Sequence, residues 1–123
     1  MLAAITLFDN GLFRMSVSMS TLAIDLLLKS MVFRLDRTSD FLMGHDHIGM
    51  FRLIEKRYPK PELRTVVKLS RKYFNDTRYS NNENLSAYTD DFARDFIGYT
   101  QQIKDFIDTD CQASLDDLQA LYH

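Results

Sequence analysis

The sequence is short of the residues that staple or break a chain. A single cysteine, Cys111, in 123 residues cannot close an intramolecular disulfide. Disulfide scaffolds and Cys-rich metal sites are therefore excluded, and packing alone must hold the fold, as it does in a reducing cytosol. Four glycines and two prolines are present, where average usage would give roughly eight or nine and six. So few turn residues favour long elements with few connections over a many-stranded sandwich, and the expected class is all-α. Hydrophobic residues at 46% and charged residues at 26% exclude collagen-like, low-complexity and wholly disordered chains. The length fits one domain, read as residues 1–123.

No hydrophobic run is both long and free of charge. Met1 to Phe8 is apolar but has no basic region before it and no small-residue cleavage site, and Asp9 and Asn10 end it. Met15 to Leu35 is the most apolar stretch, yet Asp25, Lys29 and Arg34 punctuate it. A membrane span rarely carries an acid and a lysine at its middle, so the stretch reads as a buried helix of a cytoplasmic protein with no membrane partner.

Net charge is -2, but the charge is segregated. Arg52 to Arg78 holds nine Lys or Arg against three acids, while Tyr79 to His123 holds two against nine. The basic segment can attract phosphates, or the two segments can compensate each other between packed helices.

Periodicity places five helices. Gly11 separates a short apolar helix from a long one beginning near Leu12, in which Arg14, Ser18, Thr21, Asp25 and Lys29 recur every three or four residues as one polar stripe. A helix apolar on most of its remaining circumference must be covered on several sides, which makes it the centre of a bundle. Asp36 to Gly44 reads as a loop anchored by Phe41, Leu42 and Met43. A third helix starts near Asp46, with Ile48, Phe51, Ile54 and Tyr58 on one face, and stops at Pro59. Pro61 opens a fourth, with Leu63, Val66, Val67, Ser70, Tyr73 and Phe74 inward. Asn75 to Asn84 reads as a second loop. Leu85, Tyr88, Phe92, Phe96, Tyr99, Ile103 and Phe106 then advance by three or four as one face of a long helix. Thr109 and Asp110 interrupt it, and Ser114 with Asp117 resembles a capping box opening a short terminal helix bearing Leu115, Leu118 and Leu121. The expected architecture is an antiparallel up-and-down bundle of four or five helices with a short C-terminal helix.

The order of these features resembles the HEPN family, small bacterial and archaeal helical proteins often paired with MNT nucleotidyltransferases. Gly11, Leu12, Phe13 and Arg14, then Ala23, Asp25, Leu28 and Lys29, are similar to its second helix. Gly44, His45 and Asp46 match its His-Asp at the start of the third, and Arg78 with Tyr79 match its Arg-Tyr-Pro turn before the final helix. The resemblance covers residues 2–108. Ser80 stands in place of the proline, Asp25 where glutamate is usual, and Thr21 and Leu22 where glutamines often precede it. HEPN ribonucleases carry an Arg followed after four to six residues by His. Here the positions after Arg78 run Tyr79, Ser80, Asn81, Asn82, Glu83 and Asn84.

The resemblance implies a nucleotide- or RNA-binding module acting with a minimal nucleotidyltransferase, as in toxin and antitoxin pairs, with Asp25, Lys29, His45, Asp46, Arg78 and Tyr79 gathered at one end or groove. It also implies a homodimer, for which six Met and fifteen aromatic residues leave apolar surface to spare. The alternatives are a divergent metal-independent endoribonuclease, with His45 in place of the missing histidine and Arg78 holding the phosphate, and a purely structural dimer. No cofactor and no DNA specificity are expected.

The same residues have plainer readings. Asp25 and Lys29, one turn apart, can be a structural ion pair. Two imidazoles at i and i+2 of a helix start diverge, so His45 and His47 make a poor metal site. His45 is expected to cap the helix or bond toward Asp25 and Arg78, and His47 to be exposed. Arg78 and Tyr79 can hold a phosphate and stack on a base or accept a modification, or they can close the bundle end by packing. Arg64, Lys68, Arg71 and Lys72 form a basic stripe that is either a ligand surface or a solvated face.

Overall fold

The computed structural model describes residues 1–79 and 85–111. They form five α-helices, α1 (Leu2–Asp9), α2 (Phe13–Leu35), α3 (His47–Glu55), α4 (Arg64–Tyr79) and α5 (Asp90–Asp105), with no strand among the described residues. Short 3-10 turns cover Asp40–Met43, Pro61–Leu63 and Leu85–Ala87, and a wide π-type turn at Phe106–Asp110 follows α5.

The break after α1 needs glycine. Gly11 has φ +74°, a conformation that costs any side chain with a Cβ, and it lets α1 fold back along α2. The Ser16 hydroxyl then donates to the Ala4 carbonyl at 2.7 Å, satisfying two buried polar groups between the helices. α2 touches each of the other four helices. It is long and apolar enough to cross a bilayer by length and composition, and half of its most apolar stretch is buried by its neighbours. Ile24, Leu28, Met31 and Val32 meet Met50 and Ile54 of α3, Val67 of α4 and Ile103 of α5 in the main core. Val17, Ala93 and Phe96 seed a second cluster, where Tyr73 meets Phe92 and Phe96 edge-on at 4.9 and 5.4 Å.

Hydrogen bonds fix the helix directions. Arg78 of α4 reaches Ser18 and Thr21 of α2, while Ser70 lies at the level of Asp25, so α4 runs against α2. Likewise His47 meets Ser70 and Glu55 meets Arg64, so α3 runs against α4 and hence in the same sense as α2. The bundle is therefore up-and-down except at the connection from α2 to α3. There residues 36–46 carry the chain back to the middle of α2 and set the two histidines beside Asp25.

Four expectations are corrected. The loop predicted from Asn75 is helical as far as Tyr79, because burial of Phe74 and Thr77 and the bond from Arg78 Nη1 to the Phe74 carbonyl (3.1 Å) override the weak propensity of Asn75 and Asp76. The last long helix begins at Asp90 rather than Leu85. Thr89 Oγ1 accepts from the Phe92 N–H at 3.2 Å and Asp90 and Asp91 fill the first turn, a stronger start signal than the apolar spacing before it. Of the three residues expected to anchor the second connection, Phe41 and Leu42 pack on the core, but Met43 is 90% exposed. Charge compensation between the basic and acidic segments is thin, Lys60 to Asp110 at 2.7 Å being the ion pair that joins them among the described residues. The capping box at Ser114 and Asp117 and its short helix lie outside the described residues.

Candidate functional site

The polar stripe of α2 is met by α3 and α4 along one seam. Asp25 is 1% exposed at its centre. Its Oδ1 accepts from His47 Nε2 at 2.9 Å and faces His45 Nδ1 at 3.2 Å, and its Oδ2 accepts from Lys29 at 2.8 Å. Burial alone would raise the carboxyl pKa. The hydrogen bonds from His47, Lys29 and His45 and the charge of Lys29 outweigh it and hold the group at about 2, so Asp25 is an anion at neutral pH.

An ionised Asp25 fixes the tautomer of His47. Nε2–H donates to the carboxylate, and Nδ1 is hydrogen-bonded to the Ser70 hydroxyl at 3.0 Å. Ser70, His47 and Asp25 thus stand in the order of a nucleophile, base and orienting acid. Both Ser70 and His47 are fully buried, so no substrate reaches the hydroxyl and the chain of bonds ties α2, α3 and α4 together instead. His47 corrects the expectation of an exposed ring. Its burial was legible in the spacing of His47, Met50, Phe51 and Ile54, which form the inward face of α3 at i, i+3, i+4 and i+7.

His45 is the open histidine, 46% exposed. Its Nδ1 faces both Lys29 Nζ and Asp25 Oδ1, each at 3.2 Å. It accepts from the lysine in one tautomer and donates to the carboxylate in the other. In the second, the Nε2 lone pair is free. His45 does not cap α3. Asp46 does, its Oδ1 accepting from the Gly49 N–H at 3.0 Å, which turns this carboxylate away from the seam.

Arg78 joins from the last turn of α4. Nη2 donates to the Ser18 carbonyl at 2.9 Å, and Nη1 reaches Thr21 Oγ1 at 3.2 Å and the Phe74 carbonyl at 3.1 Å. The guanidinium lies 3.9 Å from the centre of the Phe74 ring, and the imidazole of His45 lies 4.6 Å from the same centre. Burial lowers the guanidinium pKa below its usual value. Among the described residues, Nε–H and one Nη2–H have no acceptor. Tyr79, the next residue, is 69% exposed.

The structure thus brings Asp25, Lys29, His45 and Arg78 to one seam, adds His47 and Ser70 behind it, turns Asp46 aside as a cap and leaves Tyr79 outermost. The basic stripe is separate. Lys68, Arg71 and Lys72 are exposed along α4, and Arg64 is committed to Glu55 through two bonds of 2.9 and 3.2 Å. Among the described residues no group of three or more His, Cys, Asp or Glu side chains could hold a metal ion.

A family model described as the HEPN domain matches residues 1–110. The chain belongs to the HEPN family. Comparisons with curated proteins and with solved structures give no significant match. In this HEPN domain the three stretches that carried the resemblance, around Asp25, His45 and Arg78, are the three that the fold brings to one seam.

Proposed function

We propose that this HEPN domain binds a nucleotide or RNA phosphate at the seam and acts as the partner of a minimal nucleotidyltransferase in a toxin–antitoxin-type pair. The observation that carries the reading is the open edge of Arg78. Its Nη1 side is held by α2 and α4, while Nε–H and one Nη2–H remain to grip two phosphate oxygens. Lys29 and His45 meet at 3.2 Å in the same seam, both against Asp25, and His45 is half open to solvent. Tyr79, exposed beside Arg78, would stack on a base or accept a nucleotidyl group from the partner.

A second copy of the chain fits the same reading. Leu12 just before α2 and Met15 and Leu26 on it are 47%, 52% and 58% exposed, with Met19 and Leu22 at the intervening turns, so an apolar stripe borders the polar seam. Leu2 and Ile5 of α1 are also exposed apolar residues. Covering this stripe with its equivalent in a two-fold dimer would also wall in one flank of the seam.

The nuclease alternative rests on a different observation. With His45 Nδ1–H donated to Asp25, the free Nε2 is oriented as a general base that would take the proton of an RNA 2'-hydroxyl. The freed oxygen would then attack the adjacent phosphorus and expel the 5'-oxygen, which would leave as a hydroxyl by taking back the proton held on His45, with Arg78 holding the phosphate.

Binding of labelled single-stranded RNA tests the proposal. Affinity is expected to weaken as salt is raised, and to fall about tenfold or more in Arg78→Lys, which keeps the charge but loses the planar fork, and in Lys29→Met. No affinity at low salt, or equal affinity in both variants, refutes phosphate binding at the seam. Cleavage abolished by His45→Ala would establish the nuclease instead.

A further inference from the structure

One contact in the seam cannot be satisfied as it stands. His45 Nδ1 has two neighbours at the same distance, Lys29 Nζ and Asp25 Oδ1, each 3.2 Å away. With a lone pair, the nitrogen accepts from the ammonium but turns that lone pair on a carboxylate oxygen. With a proton, it donates to the carboxylate but turns an N–H on an ammonium, which has three donors and no acceptor. The two arrangements exclude each other. In a neutral ring the first is favoured, because the bond from the ammonium is charge-assisted and Asp25 Oδ1 already receives His47 Nε2–H at 2.9 Å.

The other ionisable groups around this ring leave it as the place where a proton can arrive. From α2 come Asp25, which is already an anion, and Lys29, which is already a cation. From α3 come His47, fully buried with partners on both nitrogens, and Asp46, committed to the Gly49 N–H. From α4 comes Arg78, which packs on the same Phe74 ring. Of the two histidines, His45 is the one open to water, and histidine is the side chain that ordinarily gains a proton between about pH 8 and 5. Asp25 attracts that proton, whereas Lys29 and Arg78 oppose it. Arg78 is pinned by its bonds to Ser18, Thr21 and Phe74, so the group that can yield is Lys29, on its long flexible stem.

We propose that His45 is a proton-operated latch on Lys29. In the neutral ring, Nδ1 accepts from the ammonium and holds it against Asp25. When water delivers a proton, both ring nitrogens carry N–H. Nδ1–H then donates to Asp25 Oδ1, the imidazolium replaces the ammonium as counter-ion of the carboxylate, and Lys29 turns to the open side of the seam. The charge gained on the ring is thus exchanged for a free positive charge on a mobile side chain. Resting on the reading that the seam binds a phosphate, the latch makes that binding tighter as pH falls, because more of the Lys29 charge reaches the ligand.

Nuclear magnetic resonance of the full chain, titrated from about pH 8 to 5 without ligand, reads the latch directly. The ring nitrogens of His45 are expected to show a proton on Nε2 alone at the upper end and on both at the lower, and the Lys29 side-chain signals to shift with the same midpoint. A ring that carries Nδ1–H throughout, a ring that takes no proton, or Lys29 signals that stay still overturns the proposal. In His45→Gln, which takes no proton, the Lys29 signals are expected to stay flat, and movement there overturns it too. Binding of labelled oligouridylate, whose own charge is constant over this range, reads the consequence. Affinity is expected to rise about tenfold from pH 8 to 5 in wild type and less than about twofold in His45→Gln. Binding with a flat wild-type profile, or a steep profile kept in His45→Gln, overturns the latch and leaves phosphate binding standing. If the His45 and Lys29 signals move together but oligouridylate fails to bind at any pH, the latch stands and phosphate binding falls.

Discussion

Replacing Asp25 by asparagine removes one charge from the middle of the bundle while keeping the shape of the side chain and an oxygen for His47 Nε2–H. In the folded chain the carboxyl titrates at about 2, against 3.8 for a free aspartate. At roughly 1.4 kcal/mol per unit, that gap corresponds to about 2.5 kcal/mol of stability supplied by the charged form. The native state holds the proton less tightly than the unfolded chain. The contribution is therefore complete above the unfolded value of 3.8 and drains away as pH falls toward about 2. Urea unfolding followed by circular dichroism, from about pH 7 down to about pH 2, reads this directly. Wild type is expected to exceed Asp25→Asn by about 2.5 kcal/mol near pH 6, with the difference closing toward zero at the acid end. A difference independent of pH, or one below about 0.5 kcal/mol, would mean that Asp25 behaves as a surface pair and would refute the account of the seam as a charged anchor.

Gly49 sits in the first turn of α3, where an added Cβ would meet the Phe41 ring and come within 2.5 Å of Asp46 Oδ2. Gly49→Ala is expected to lower stability by about 1–3 kcal/mol in the same urea assay, since the displaced cap and the crowded ring outweigh the roughly 1 kcal/mol that alanine gains in a helix. Ser20 is fully buried on α2 and its Oγ has no hydrogen-bond partner among the described residues. Ser20→Ala is therefore expected to raise stability by about 1 kcal/mol, seen as a higher Tm, because a desolvated hydroxyl is removed and little volume is lost. In sedimentation, Met15→Glu with Leu26→Glu is expected to convert a dimer into a monomer without lowering helicity. Unchanged sedimentation would remove the α2 stripe as an interface.

Local chemistry determined a good deal of this protein. The scarcity of Gly and Pro with 3.6-residue apolar spacing set the all-α class. Gly11 set the first break through its backbone freedom, and Pro61 set the start of the turn that leads into α4. The polar stripe from Arg14 to Lys29 marked α2 as the helix whose one wet line crosses a dry interior, because a stripe is a property of a single helix. Whatever depended on a second segment was not legible in this way. The end of α4 was decided by the two histidine rings that pack on Phe74 and by what accepts from Arg78, the latter on α2 across more than fifty residues of sequence. Asp46 and His45 look interchangeable as neighbours in sequence, yet the first is spent on the Gly49 N–H and the second is turned toward Asp25. His47 falls on the inward face that the spacing of α3 marks, but its partners, Asp25 and Ser70, arrive from two other helices to satisfy both of its nitrogens. Sequence periodicity reports which face of an element avoids water. Which polar groups share that dry space, and so which of them stay charged or accessible, is fixed only when the helices meet.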